Sequence, residues 1–182
     1  MSISYHDYPI LYVDDESPNL VSFRYTMEGR FRVFTASSGK EALRILKEQD
    51  IAVLMADQRM PEMTGVEVCV KAKELRPSAV RIIVTAYADL QAAIEAINRG
   101  QVLRYLTKPW RVEELIDVLR TCIEIVHLQR TVREMEVRLL QSGPSTTLLA
   151  VQQELAYQFE QPLALLLVSA QLVSDLITSS LA

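Results

Sequence analysis

Between residues 9 and 110 the chain repeats one pattern five times: a short apolar or β-branched run, then a longer stretch with apolar residues three and four apart. The runs are Ile10–Val13, Phe31–Phe34, Ile51–Met55, Val80–Val84 and Val102–Leu106. Three of them are apolar almost without alternation, as strands of a parallel sheet are when helices cover both faces. The intervening stretches carry helical spacing, for example Ala42, Leu43 and Leu46, then Ala92, Ala93, Ala96 and Ile97. Such alternation predicts an α/β fold with a doubly wound, five-stranded parallel sheet and right-handed crossovers.

The last helical stretch overruns that unit. From Arg111 to Gln141 there is no Gly or Pro, and five Arg mix with six Glu or Asp. A helix of that length spans roughly 45 Å, more than one small domain needs. Leu115, Val118, Cys122, Ile125, Leu128, Val132, Met135 and Leu139 form a near-heptad stripe with one slip near His127. A stripe of that kind implies a partner helix. Ser142-Gly143-Pro144-Ser145 then breaks the helix, and residues 142–182 contain no Lys or Arg. Leu148, Leu155, Phe159, Pro162, Leu166, Ala170, Val173 and Ile177 make a second stripe, which cannot build a core alone. The expected division is 1–123 for the globular part, 124–141 for a helical stalk and 142–182 for a helical dimerisation segment.

Composition narrows the function classes. Of 182 residues, 49% are apolar and 23% charged, which excludes wholesale disorder. The net charge of −4 gives no reason to expect a nucleic-acid partner. Cys69 and Cys122 stand far apart without a CxxC or Cys/His cluster, arguing against a disulfide scaffold or zinc module and for a cytoplasmic setting. The first residues lack the basic and apolar regions of a signal peptide. Leu163–Ala182 is leucine-rich, but Gln171, Asp175 and five Ser or Thr interrupt it. An acid at the centre of a membrane span costs roughly 2.5–3.5 kcal/mol, so an amphipathic packing helix is expected and no membrane contact.

Acids at strand ends carry the chemistry. Asp14 and Asp15 follow the first run and Asp57 the third. In an open α/β sheet, ligands bind beyond the carboxyl ends of the strands, so the three should converge. A lone Asp at a strand end is more often a turn or cap residue. Converging carboxylates repel unless a hard cation sits among them, and oxygen-only ligation selects Mg²⁺ or a similar ion. Thr85 ends the fourth strand and Lys108 follows the fifth, adding a hydroxyl and an ammonium. This is the inventory of a phosphoryl-transfer site with an Asp nucleophile.

Asp14-Asp15, MADQRMPEMTG around Asp57, VTAYAD around Thr85 and YLTKPW around Lys108 together resemble the response-regulator receiver domain of two-component signalling, a flavodoxin-like fold. The resemblance covers residues 9 to about 123. It implies Asp57 as phosphoacceptor, with Asp15, Asp57 and the Arg59 carbonyl binding Mg²⁺ directly and Asp14 acting mainly through water. It implies Thr85 and Lys108 on the phosphoryl group, a cis Lys108-Pro109 peptide and Tyr105 as a rotating switch. Arg59 and Tyr87 occupy the sites that flank the attacking water, and their size predicts slow hydrolysis of the phosphate. Residues 154–163 resemble the phosphoacceptor helix of sensor histidine kinases, with Tyr157 in the histidine position and Gln158 in that of the acid. That is the pattern of a dimerisation helix that has lost its acceptor, and His6 and His127 offer no substitute.

The expected function is a Mg²⁺-dependent response regulator, phosphorylated on Asp57 by a sensor histidine kinase and signalling through a homodimeric stalk. Its only enzymatic activity would be self-directed phosphoryl transfer and autodephosphorylation. The alternative is the regulatory front of a larger enzyme with a kinase, phosphatase or nucleotide-cyclising output.

Overall fold

The computed structural model describes residues 3–85 and 102–142. A 3₁₀ turn at Tyr5–Asp7 precedes β1 (Ile10–Val13), α1 (Ser17–Met27), β2 (Val33–Ala36), α2 (Gly39–Glu48), β3 (Val53–Asp57) and α3 (Gly65–Leu75). Then come β4 (Val80–Thr85), β5 (Arg104–Thr107) and the long helix α4 (Val112–Ser142). The strands form one parallel sheet in the order β2-β1-β3-β4-β5. This is the doubly wound five-stranded architecture that the apolar runs predict.

Each face of the sheet buries a separate stripe of helix. Phe23 and Met27 of α1 share one core with Leu115, Val118, Leu119, Cys122, Ile123 and Val126 of α4. Ala42, Ile45 and Leu46 of α2 share the other with Val68, Cys69 and Ala72 of α3. β1 and β3, at the centre, are buried along their whole length. Full burial of a side chain such as Ile or Leu is worth about 1.5–3 kcal/mol. Substitution by Ala in these two strands is therefore the costliest kind of change available to the sheet. Local signals set the helix starts. The Ser38 hydroxyl caps α2 by accepting from the Glu41 amide, and Thr64 and Glu67 form a reciprocal capping box on α3.

Three strands lie further along the chain than their sequence patterns suggest, β5 starting at Arg104 rather than Val102. β2 starts at Val33 rather than Phe31, because Phe31 turns its ring into the core beside α1. β3 starts at Val53, since Ile51 is held in a tight turn by the Gln49 carbonyl and pairing begins with the Ala52 amide on the Pro9 carbonyl. The shift makes Asp57 the last residue of the strand itself.

The chain divides into two compact units, Met1–Arg130 and Thr131–Ala182. Within the first, α4 packs on the body well past Ile123. Val126 is fully buried, Tyr5 donates to Glu124 Oε1 at 2.9 Å, and Tyr8 shares a 2.7 Å bond with His127 Nδ1. Arg130 lies 2.9 Å from Asp50 and over the Tyr8 ring. The buried stripe includes Leu119, Ile123 and Val126, so it is wider than the near-heptad seam, as a helix lying on a sheet requires. Leu128, Val132 and Met135 are half-buried. Among the described residues no helix is long and apolar enough to cross a membrane. Residues 143–182, including Tyr157 and the second stripe, lie outside the described residues.

Candidate functional site

Parallel pairing brings the ends of β1, β3 and β4 level. Val13 pairs with Ala56, and Asp57 pairs with Val84, so Asp14, Asp57 and Thr85 emerge side by side. Lys108 joins them because its amide donates to the Thr85 carbonyl at 2.9 Å, just after β5. A cleft of about 320 Å³ results, lined by Asp14, Asp15, Glu16, Asn19, Asp57, Gln58, Arg59, Thr85 and Lys108. A larger hollow of about 670 Å³ lies beside α1 and β2, but it contains none of these residues.

The loop after Asp57 is folded back tightly. The Gln58 amide bonds to the Val84 carbonyl, and the amides of Gly65 and Val66 bond to the Gln58 backbone and side-chain oxygens. Gly65 is required there: a Cβ would be driven into the Asp57 carbonyl oxygen, with the Asp57 carbonyl carbon at 3.0 Å. Backbone on both sides leaves nothing flexible to yield.

Asp14 and Thr85 are each 1% exposed and Asp57 is 8% exposed, so these groups meet with little water between them. The Lys108 ammonium bonds to Asp57 Oδ1 and, at 2.7 Å, to Asp14 Oδ2. Asp57 Oδ2 accepts from the Arg59 amide at 2.7 Å. Asp14 is served more heavily. Its oxygens accept from the Tyr12 hydroxyl at 2.5 Å, the Glu16 amide at 2.9 Å and the Asn19 amide group at 3.1 Å.

These unequal surroundings drive the acidities apart. Burial would raise the Asp14 carboxyl, but bonds from Lys108, Tyr12, Asn19 and Glu16 together outweigh it and hold the group below its usual range. Burial raises Asp57, and the Lys108 and Arg59 bonds offset this only in part, with the Asp14 charge adding to the rise. Lys108 is pulled down by burial, yet the two carboxylates more than compensate and raise it. A pair of carboxylates separated in this way divides into a fixed charge and a reactive base.

Residues 10–120 match the family model for the response regulator receiver domain. The chain belongs to that family. It is 37% identical over 135 residues to the hydrogenase transcriptional regulatory protein HoxA of Cupriavidus necator, covering 74% of this chain and 28% of that protein. The receiver thus spans about a quarter of the length of its curated relatives. Among solved structures it resembles an adenylate cyclase from Rhodopirellula baltica at 36% identity and TM-score 0.70, covering 72% of this chain and 98% of that one. A response regulator receiver domain protein from Clostridium thermocellum aligns at 34% identity and TM-score 0.64, covering 67% and 98%.

Receivers use Mg²⁺ for phosphotransfer, and the donors here suit such an ion chemically. Asp14, Asp15, Asp57 and the Arg59 carbonyl offer oxygen alone, which is what a hard dication takes. Among the described residues no three acid, His or Cys side chains converge into a closed cage. The position between Asp14 and Asp57 is spanned by the Lys108 ammonium, a positive charge standing where one is needed, and Asp15 is exposed at the rim.

The receiver therefore gathers Asp14, Asp15, Asp57, Arg59, Thr85 and Lys108 into one cleft. The Lys108-Pro109 peptide is cis. Tyr105, on β5, is half-buried against the core under α2 and α3 rather than in the cleft. Tyr87 lies outside the described residues. Sequence reasoning missed Tyr12 and Asn19. A usable signal existed for Tyr12: side chains two apart on a strand share a face, which puts its hydroxyl alongside Asp14.

Proposed function

We propose that this cleft accepts a phosphoryl group on Asp57 from a sensor histidine kinase and that the protein is a two-component response regulator. The observation that carries the reading is the meeting of Asp57 with Asp14, Thr85 and Lys108 in one cleft at the carboxyl ends of the strands. Asp14 is tied down by donors, while Asp57, at the end of β3, keeps the raised basicity a nucleophile uses.

An Asp57 oxygen attacks phosphorus and forms a P–O bond as the bond from phosphorus to the donor nitrogen or oxygen breaks. The electron pair of that bond leaves with the donor. Lys108 moves its ammonium from Asp57 to a phosphoryl oxygen, and the Thr85 hydroxyl donates to another. Asp15, Asp57 and the Arg59 carbonyl would hold Mg²⁺, with Asp14 acting mainly through water, and the ion would supply charge neutralisation on the phosphoryl oxygens. Arg59 and Tyr87 screen the product from water; Tyr87→Ala should shorten the phosphate lifetime, and an unchanged lifetime refutes the screen. Thr85, drawn toward the phosphoryl group, leaves room for Tyr105 to rotate inward. The response passes to residues 124–141 as the stalk of a homodimer, with 142–182 as its dimerisation segment.

Intact mass after incubation with Mg²⁺ and a small phosphodonor tests the reading. Wild type should gain the mass of one phosphoryl group and Asp57→Asn none. Failure of the wild type with a donor that labels another receiver overturns it.

A second reading is favoured by the lengths of the relatives. HoxA and its namesake in Bradyrhizobium diazoefficiens match over only 28% and 25% of their chains. The receiver would then regulate a further output domain of the same protein. Reading the gene beyond the Ala182 codon decides it: an immediate stop refutes this version, and a continuing domain establishes it.

A further inference from the structure

Tyr12 lies in the central strand β1 with its ring fully buried. The ring packs against Phe23 with centroids 4.5 Å apart and meets Trp110 edge to face at 6.2 Å. A phenylalanine would fill the same space, so packing asks for the ring and not for the hydroxyl. That hydroxyl donates to Asp14 Oδ2, where Lys108 and Asn19 also donate. Oδ1 accepts from Asn19 and the Glu16 amide. A carboxylate offers about four lone-pair sites, so Asp14 is saturated. Asp57 accepts only from Lys108 and the Arg59 amide among the described residues.

We propose that Tyr12 is a positioning residue whose hydroxyl occupies Asp14, keeps that carboxylate turned to Lys108 and away from direct coordination, and thereby weakens the cleft's hold on a divalent cation. The inference rests on the phosphoryl-acceptor reading for the role of the cation. A hydroxyl donated to Oδ2 uses a lone pair and draws off the electron density a cation would take. Removing it frees that lone pair while the Glu16 amide and Lys108 still fix the carboxylate in place. Cation affinity should therefore rise. A hydroxyl that only braced the fold would give the opposite sign, because a looser site binds more weakly.

Calorimetric titration with Mg²⁺, repeated with Mn²⁺ followed by electron paramagnetic resonance, reads this directly. Tyr12→Phe should lower Kd roughly three- to tenfold, the scale of one ordinary hydrogen bond net of the water that replaces it. Asn19→Ala, which withdraws donors from the same carboxylate at the surface, should also lower it, and serves if Tyr12→Phe fails to fold by circular dichroism. An unchanged or raised Kd in the folded variant overturns the proposal. Phosphoryl uptake by the wild type separates the two levels of failure. If wild type neither binds Mg²⁺ nor gains a phosphoryl group, the reading of the cleft falls and this inference with it. If wild type does both and neither variant binds more tightly, only the role of Tyr12 falls.

Discussion

The two ends of the sheet handle charge in opposite ways. At the carboxyl ends of the strands, Asp14 and Asp57 are buried together and share one lysine. At the amino ends, the charges are exposed and matched: Arg130 with Asp50, whose side chain is 63% exposed, and Arg120 over the Tyr5 ring. Like charge forced together in a dry place separates acidities and leaves one group reactive. Opposite charge in water gives about 0.2–1 kcal/mol per pair and no reactivity. Function and fastening are therefore kept apart by about the length of a strand, and each can be altered without the other.

The largest expected effect is at the reactive end. Asp57→Asn should abolish phosphoryl uptake completely by intact mass, yet leave the thermal midpoint unchanged or raised, because it relieves a buried like-charge contact. His127→Ala, at the other end, should leave uptake intact; loss of uptake there would erase the separation. The interior between the ends gives the next effect. Burial pushes the Cys69 and Cys122 thiols up to about 12, whereas unfolded thiols ionise near pH 8.5. The folded state holds these protons after the unfolded chain has lost them. Stability is thus full below about pH 8.5 and falls as pH rises toward 12, at up to about 1.4 kcal/mol per pH unit per thiol. Urea unfolding across that window should show the slope, and Cys122→Ala should remove one thiol's share; a flat profile means water reaches both.

Gly65→Ala comes third. Its Cβ would press on backbone at Asp57 and Gln58, so about 2–3 kcal/mol of destabilisation is expected by urea unfolding. A loss below about 0.5 kcal/mol would show that the loop after Asp57 is looser than its hydrogen bonds indicate. The smallest effect is at the fastening end. Arg130→Ala loses the Asp50 pair and the Tyr8 ring contact, about 1 kcal/mol in sum. Amide exchange over residues 124–130 should speed up while phosphoryl uptake holds steady.

The sheet was legible because its information is local. Ile10–Val13 and Ile51–Met55 are apolar on both faces, as covered parallel strands are. The acids at strand ends were legible for the same reason, since topology alone brings Asp14 and Asp57 level. Strand starts were less so: Phe31 belongs to the core by its ring and not to the ladder, a distinction that apolarity does not carry. Tyr12 was hidden because an aromatic residue in a buried strand has a sufficient explanation without its hydroxyl. The contacts of Tyr5 and Tyr8 with α4 were illegible, since no periodicity links residues 119 apart in sequence.

That same separation bears on synthesis. A chain made from its amino terminus exposes Tyr5, Tyr8 and one flank of β1 from the start, and the partners of the two tyrosines, Glu124 and His127, emerge 119 residues later. Half of the core thus waits, uncovered, for the translation of a single helix. Any piece of this protein cut short before Arg130 should be captured by chaperones, or aggregate, even though every strand and every acid of the cleft is already present.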